Sequence, residues 1–168
     1  MTHQQRAEEN FLAGYNCAQS VFLAFAEDLR LTDDFALRLS SSFGGGMGRL
    51  REVCGGVSGI LMAAGLLYGY TSPNDDQAKA EHYALVQALA EEFRRENGSI
   101  ICRELLGREG AEAPVPEKRT AAYYAQRPCA RLVGSAAAIL ERYMAQHPPI
   151  SAPGSVCSPD TLSPKEHL

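Results

Sequence analysis

The stretch VCGGVSGILMAAGLLYGYTSPN, Val53 to Asn74, runs for 22 residues without a charged side chain. Length alone would let its apolar part cross a bilayer. Its composition argues for another role: Gly55, Gly56, Gly59, Gly65 and Gly69 stand among the large apolar residues together with Ser58, and the mean hydropathy of the chain is -0.20. A glycine-rich helix buried at the centre of a helical domain accounts for both, and no membrane partner is expected. Gly55, Gly59 and Ala63 recur at four-residue spacing, which lets another helix or a bound group come close to the backbone.

Helical periodicity continues on both sides of this segment. Ala18, Val21, Phe22, Phe25 and Leu29 share one face of a helix from about Asn16 to Arg30. Thr32, followed by Asp33 and Asp34, opens a short helix carrying Phe35, Leu37 and Leu39. Ser72-Pro73-Asn74-Asp75 resembles a capping box and leads into a long amphipathic helix with His82, Leu85, Val86, Leu89 and Phe93 on its apolar face; Asn97-Gly98 ends it. Ser99 caps the next helix, which Gly107 closes, and residues 108–118 read as a loop. A last helix runs from Pro128 to about Gln146. No segment alternates with a period of two, so the expected fold is all-α: a compact single-domain bundle of about five to seven helices around the glycine-rich one. Residues 1–146 make up this domain, and residues 147–168, with five of the nine prolines, form a tail.

With 168 residues, 45% hydrophobic and 21% charged, the chain has enough material for a core that needs no disulfide or metal to fold. The net charge of -4 and a pI near 5.6, without a basic stretch, exclude nucleic acid as an expected partner. The first residues carry charge and lack the apolar core of a secretory signal, so the expected compartment is the cytoplasm. A homodimer is the default expectation for a small helical protein.

The five cysteines are the feature that this composition leaves unexplained. Cys17, Cys54, Cys102 and Cys129 are separated by 27 to 48 residues, far from any zinc-ribbon, ferredoxin or thioredoxin spacing. Each falls in the first turn of a predicted helix, where free N–H groups and the helix dipole favour a thiolate. Arg51, Arg103, Arg127 and Arg131 neighbour three of the four. The expectation is four thiols of depressed pKa whose helix starts converge on one site. The competing reading is packing, since cysteine is a small and commonly buried hydrophobe. Cys157 stands apart in the tail.

Upstream of Cys54 the loop holds Gly44, Gly45, Gly46 and Gly48, a place where backbone N–H groups could cradle an anionic cofactor. It has no G-K-[ST] and no preceding strand, so neither a P-loop nor a dinucleotide fingerprint fits. Candidate cofactor-contacting residues are therefore Gly45, Gly46 and Gly48 in the loop, with Gly55 and Gly59 on the helix.

Four blocks in order, NCAQSV around Cys17, GGGMGRLREVCGGVSG around Cys54, GSIICRELLG around Cys102 and RPCARLV around Cys129, resemble the C-GCAxxG-C-C family. Its hallmark is four cysteines with a CGAxxG motif. The chain carries that motif as Cys54-Gly55-Gly56-Val57-Ser58-Gly59, with glycine in place of alanine at Gly56. The resemblance implies a small all-helical bacterial or archaeal protein with redox-active or metal-binding cysteines and no assigned reaction. A similar domain is fused to a haem protein with an additional iron centre, so the resemblance implies an iron–sulfur cluster as a candidate cofactor. This chain has no CxxCH for covalent haem.

Three readings follow. Cys17, Cys54, Cys102 and Cys129 ligate zinc or an iron–sulfur cluster through thiolates; or they cycle between dithiol and disulfide without a metal; or they only pack a structural module. Secondary candidates are His82 as a ligand, Glu52 as a proton shuttle beside Cys54, and Tyr123 and Tyr124 as walls of the site. No nucleophile–base or paired-carboxylate arrangement is readable.

Overall fold

Thr2, Asn16 and Thr32 each start a helix by accepting backbone N–H groups of the first turn: Thr2 from Gln5, Asn16 from Ala18 and Gln19, Thr32 from Phe35. At Thr2 and Asn16 the third helical residue, Gln5 or Gln19, returns a bond to the cap's own backbone. Such caps are worth about 1 kcal/mol each and fix where the chain turns. In this computed structural model residues 1–149 are described; Cys157 and the tail beyond Pro149 lie outside them.

The helices are α1 His3–Leu12, α2 Cys17–Ala24, α3 Asp33–Ser40, α4 Gly55–Tyr68, α5 Asp76–Asn97, α6 Cys102–Leu106, α7 Ala121–Gln126 and α8 Cys129–Gln146. Among the described residues there is no strand, only one antiparallel bridge between Val53 and Ile101, so the fold is all-α as the periodicity predicts. α1 and α7 are additional to the helices read from the sequence. Three boundaries also differ from that reading. α2 ends at Ala24 because the chain tightens to three-residue bonds, Phe25 N–H to Phe22 and Ala26 N–H to Leu23, before Arg30 turns left-handed. α5 starts at Asp76, since the side chain of Asp75, not Ser72, receives the N–H of Ala78. α6 begins at Cys102, with Ser99 accepting from Ile101 just before it.

α4 is the central element and packs against α2, α8 and α5. Its residues Val57, Ile60, Ala63 and Ala64 are fully buried. α1 lies across α8 and α2, so the first and last helices close the bundle on each other. Phe11, Phe22, Phe25, Leu89, Phe93, Ile139 and Leu140 fill the interior. The glycine spacing of α4 serves the α2 contact: a Cβ on Gly59 would stand 2.8 Å from Val21 Cβ and 3.1 Å from the Ala18 carbonyl oxygen. α4 has 14 residues, and no helix among the described residues is long and apolar enough to cross a membrane.

Gly59→Ala is therefore expected to lower stability by about 1–3 kcal/mol through overpacking. Gly65→Ala in the same helix, where a Cβ meets nothing within 4 Å, should be neutral or raise stability by up to about 1 kcal/mol. Urea unfolding followed by circular dichroism compares the two.

Candidate functional site

Each of the four cysteines sits at a helix start. Cys17, Cys102 and Cys129 are the first residues of α2, α6 and α8, and Cys54 is the residue that precedes α4. A short pairing of backbone draws two of them together. The N–H of Cys54 donates to Ile100 at 2.8 Å, that of Cys102 to Glu52 at 2.6 Å, and that of Arg103 to Arg51 at 3.0 Å. Gly55 presses on α2, where a Cβ would meet Cys17 Cβ at 2.9 Å. Gly46 presses on α6, where a Cβ would meet Cys102 Cβ at 2.7 Å.

The loop reaches this position through an unusual backbone. Gly45, Gly46, Met47, Gly48, Arg49 and Arg51 all have positive φ, between 59° and 71°. For Met47, Arg49 and Arg51 this costs about 1–2 kcal/mol each. Bonds across the loop hold it: Gly48 N–H to Gly44, Leu50 N–H to Met47 and Glu52 N–H to Gly46. The left-handed run turns Arg49 and Arg51 into a cleft, where Glu112 pairs with both, with Arg51 at 2.7 Å. Arg51 is only 3% exposed, so this ion pair satisfies a charge that would otherwise be buried without a partner.

Two cavities meet at the thiols. The inner one, about 10 Å³, is lined by all four cysteines together with Gly46 and Gly55; that is room for a single water. The outer one, about 170 Å³, is lined by Cys17, Cys102 and Cys129 and by Arg49, Arg51, Arg119 and Arg127. Tyr123 forms part of its wall, with the guanidinium groups of Arg119 and Arg127 4.9 and 4.7 Å from its ring centre. Arg127 is paired with Glu117.

The thiols are not equivalent. Cys129 is held down to about 7, first by a hydrogen bond from Cys17 and then by the charges of Arg127 and Arg119, against the cost of burial. Cys17 is pushed well up because it donates that bond and is desolvated. Burial drives Cys54 up to about 12, although the Gly56 and Val57 N–H groups donate to its sulfur. Burial also raises Cys102, opposed by Arg51, whose Nη1 lies 3.8 Å from its Sγ. The expectation of four depressed thiols is thus corrected to one. For the other three, desolvation or donation to a neighbouring sulfur outweighs the helix start.

Of the other sequence candidates, Gly45 borders the outer cavity, and Gly46 and Gly55 border the inner one. Gly48 has open space at its Cβ position, and Gly59 packs against α2 away from the sulfurs. Glu52 pairs with Arg103 at 2.8 Å. Arg131 bonds Asn97. His82 borders a separate cavity beside Tyr70. Tyr124 packs edge-on against Phe11 and donates to Leu12. The residues that sequence reasoning missed are Arg49 and Arg119 with Glu112 and Glu117. They come from a left-handed loop and from the connection before α7, and no local pattern marks either.

Cys129 should be alkylated by iodoacetamide with a rate that rises with pH through a midpoint near 7. Cys17→Ala and Arg127→Gln should each move that midpoint upward toward the free-thiol value, because each removes a group that favours the thiolate. The pH profile of labelling at Cys129, followed by mass spectrometry, reads it.

Among the described residues no group of three or more His, Cys, Asp or Glu side chains is arranged to hold a metal ion. No curated protein and no solved structure matches the chain. The family model C_GCAxxG_C_C, described as "Putative redox-active protein", matches residues 15–143. That span runs from the turn before Cys17 to the last turns of α8 and contains all four cysteines, and the chain belongs to this family.

Proposed function

We propose that the protein is a metal-free dithiol–disulfide redox protein in which Cys129 is the attacking thiolate and Cys17 the thiol that completes the exchange. The observation that carries this reading is the placement of Cys17 and Cys129 on the lining of both cavities, beside Arg119 and Arg127 in the outer one; the depressed pKa of Cys129 agrees with it. A thiolate with pKa near ambient pH combines a useful ionised fraction with good nucleophilicity. Two charges and a neighbouring thiol sustain it: the guanidinium groups of Arg127 and Arg119, and the S–H of Cys17.

The exchange balances in two steps. The Cys129 thiolate attacks one sulfur of a substrate disulfide, the S–S bond breaks, and the first half leaves as a thiolate. Cys17 gives up its proton to a departing thiolate and attacks Cys129 Sγ, releasing the second half. The protein pair has lost two electrons and formed the Cys17–Cys129 disulfide, and the substrate has become one thiol and one thiolate, the latter protonated by water according to its own pKa. Run in reverse, a dithiol restores the pair.

Cys54 and Cys102 flank this pair and deepen its low-dielectric surroundings. Tetrahedral zinc needs converging ligands, and no three-ligand group is present among the described residues. Four thiols suit a two-iron cluster in kind and number. The space that all four line is about 10 Å³, so the helix starts would have to part to admit an Fe₂S₂ core.

Mild oxidation of the reduced protein should remove two thiols per chain and yield a Cys17–Cys129 disulfide in peptide maps, with Cys17→Ser or Cys129→Ser abolishing it. Anaerobic purification that returns two irons and two acid-labile sulfides per chain, with no loss of thiols on oxidation, would overturn the dithiol reading in favour of the cluster.

A further inference from the structure

The outer cleft carries four arginines against one glutamate on its lining, in a chain whose net charge is -4. Three of the four have carboxylate partners: Arg49 and Arg51 share Glu112, and Arg127 takes Glu117. Arg119 has none among the described residues. Its Nη2 donates to the Tyr15 carbonyl at 3.1 Å, and its plane lies over Phe11, Tyr123 and Tyr124, with ring centres at 4.6, 4.9 and 5.9 Å. Its Nη1 is buried without a hydrogen-bond partner. The Nε of Arg51, on the same lining, is also buried and unpartnered. Buried guanidinium N–H groups are rarely left so, and the aromatic stack holds Arg119 in place with its charge uncommitted.

We infer that this cleft takes a small disulfide or thiol bearing a carboxylate near its sulfur, with Arg119 receiving the carboxylate while the sulfur meets Cys129. The inference rests on the dithiol reading and names its substrate class. Arg119 and Cys129 line the same 170 Å³ cleft, which suits the sulfur-and-carboxylate end of a small molecule. A planar guanidinium with free N–H groups is the side chain best matched to a carboxylate. The Arg49–Arg51–Glu112 network leaves the neighbouring cations committed, so the selectivity falls on Arg119.

The test compares two aromatic disulfides of similar size, the dianionic dithiobis(nitrobenzoate) and the uncharged dithiodipyridine. Each is reacted with the full chain carrying Cys157→Ser, and release of the coloured thiolate is followed at one pH and low salt. Arg119 also depresses the pKa of Cys129, so a single rate would mix two effects. The ratio of the two rates removes the ionised fraction and reports charge recognition alone. Scaled to the same ratio for a small free thiol, the protein should favour the dianion by about tenfold, as expected for a focused positive cleft. Arg119→Gln should bring the scaled ratio near one, Arg119→Lys should keep part of it, and high salt should erode it. A ratio unchanged by Arg119→Gln in a variant with the native circular dichroism spectrum overturns the inference, as does one untouched by salt. If Arg119→Gln does not fold, the ratio for Arg119→Lys and the salt dependence of the parent decide. Failure of the dithiol reading looks different: coloured thiolate is released, but no Cys17–Cys129 disulfide follows with either reagent.

Discussion

The close approach of two helix starts is the constraint from which the site follows. At Gly55 a Cβ would fall 2.9 Å from the Ala18 nitrogen and 2.9 Å from Cys17 Cβ, so α4 meets α2 there with no side chain of its own in between. One turn later Gly59 repeats the contact against Val21 and the Ala18 carbonyl. Glycine at these positions moves two helix axes together by more than any side chain would allow. Cys54 and Cys17 arrive side by side as a consequence, and α8, packed on the same two helices, brings Cys129 to them.

The second constraint is electrostatic. The loop from Gly45 to Arg51 accepts unfavourable backbone at three residues that are not glycine, and its return is the placement of Arg51 in the interior. A guanidinium there requires a carboxylate, supplied by Glu112 from the connection after α6. The same cation faces Cys102 Sγ, so the loop, the connection and the thiols form one network. Burial and charge then sort four similar cysteines into one that ionises near neutrality and three that do not. Similar placement at helix starts did not decide their chemistry; their immediate neighbours did.

Much of the fold was legible because the signals were local. Asn16, Thr32, Gly98 and Gly107 mark helix ends by their own conformational preferences, and the apolar faces of α5 and α8 repeat with the helical period. The boundaries that shifted did so where a competing local choice won, as at Asp75 over Ser72. In the site, the four cysteines were legible as a set from their common position at helix starts. Their inequality was not, since it depends on Arg119 and Arg127 reaching Cys129 and on Cys17 donating to it. Arg119 lies in a stretch with no periodicity, and its meeting with Phe11 and Tyr15 spans most of the chain. Sequence distance hides such a contact.

The closure of the bundle by its first and last helices carries a further implication. Cys17 and Cys129 stand near opposite ends of the domain in sequence, and the contacts that join them, α1 and α2 on α8, require the final helix. A chain still being made, or one transiently unfolded, has only ordinary thiols, protonated at neutral pH. The depressed pKa of Cys129 is a product of folding itself. It requires the final helix docked on α1 and α2, so in an incomplete chain Cys129 is a thiol like the other three.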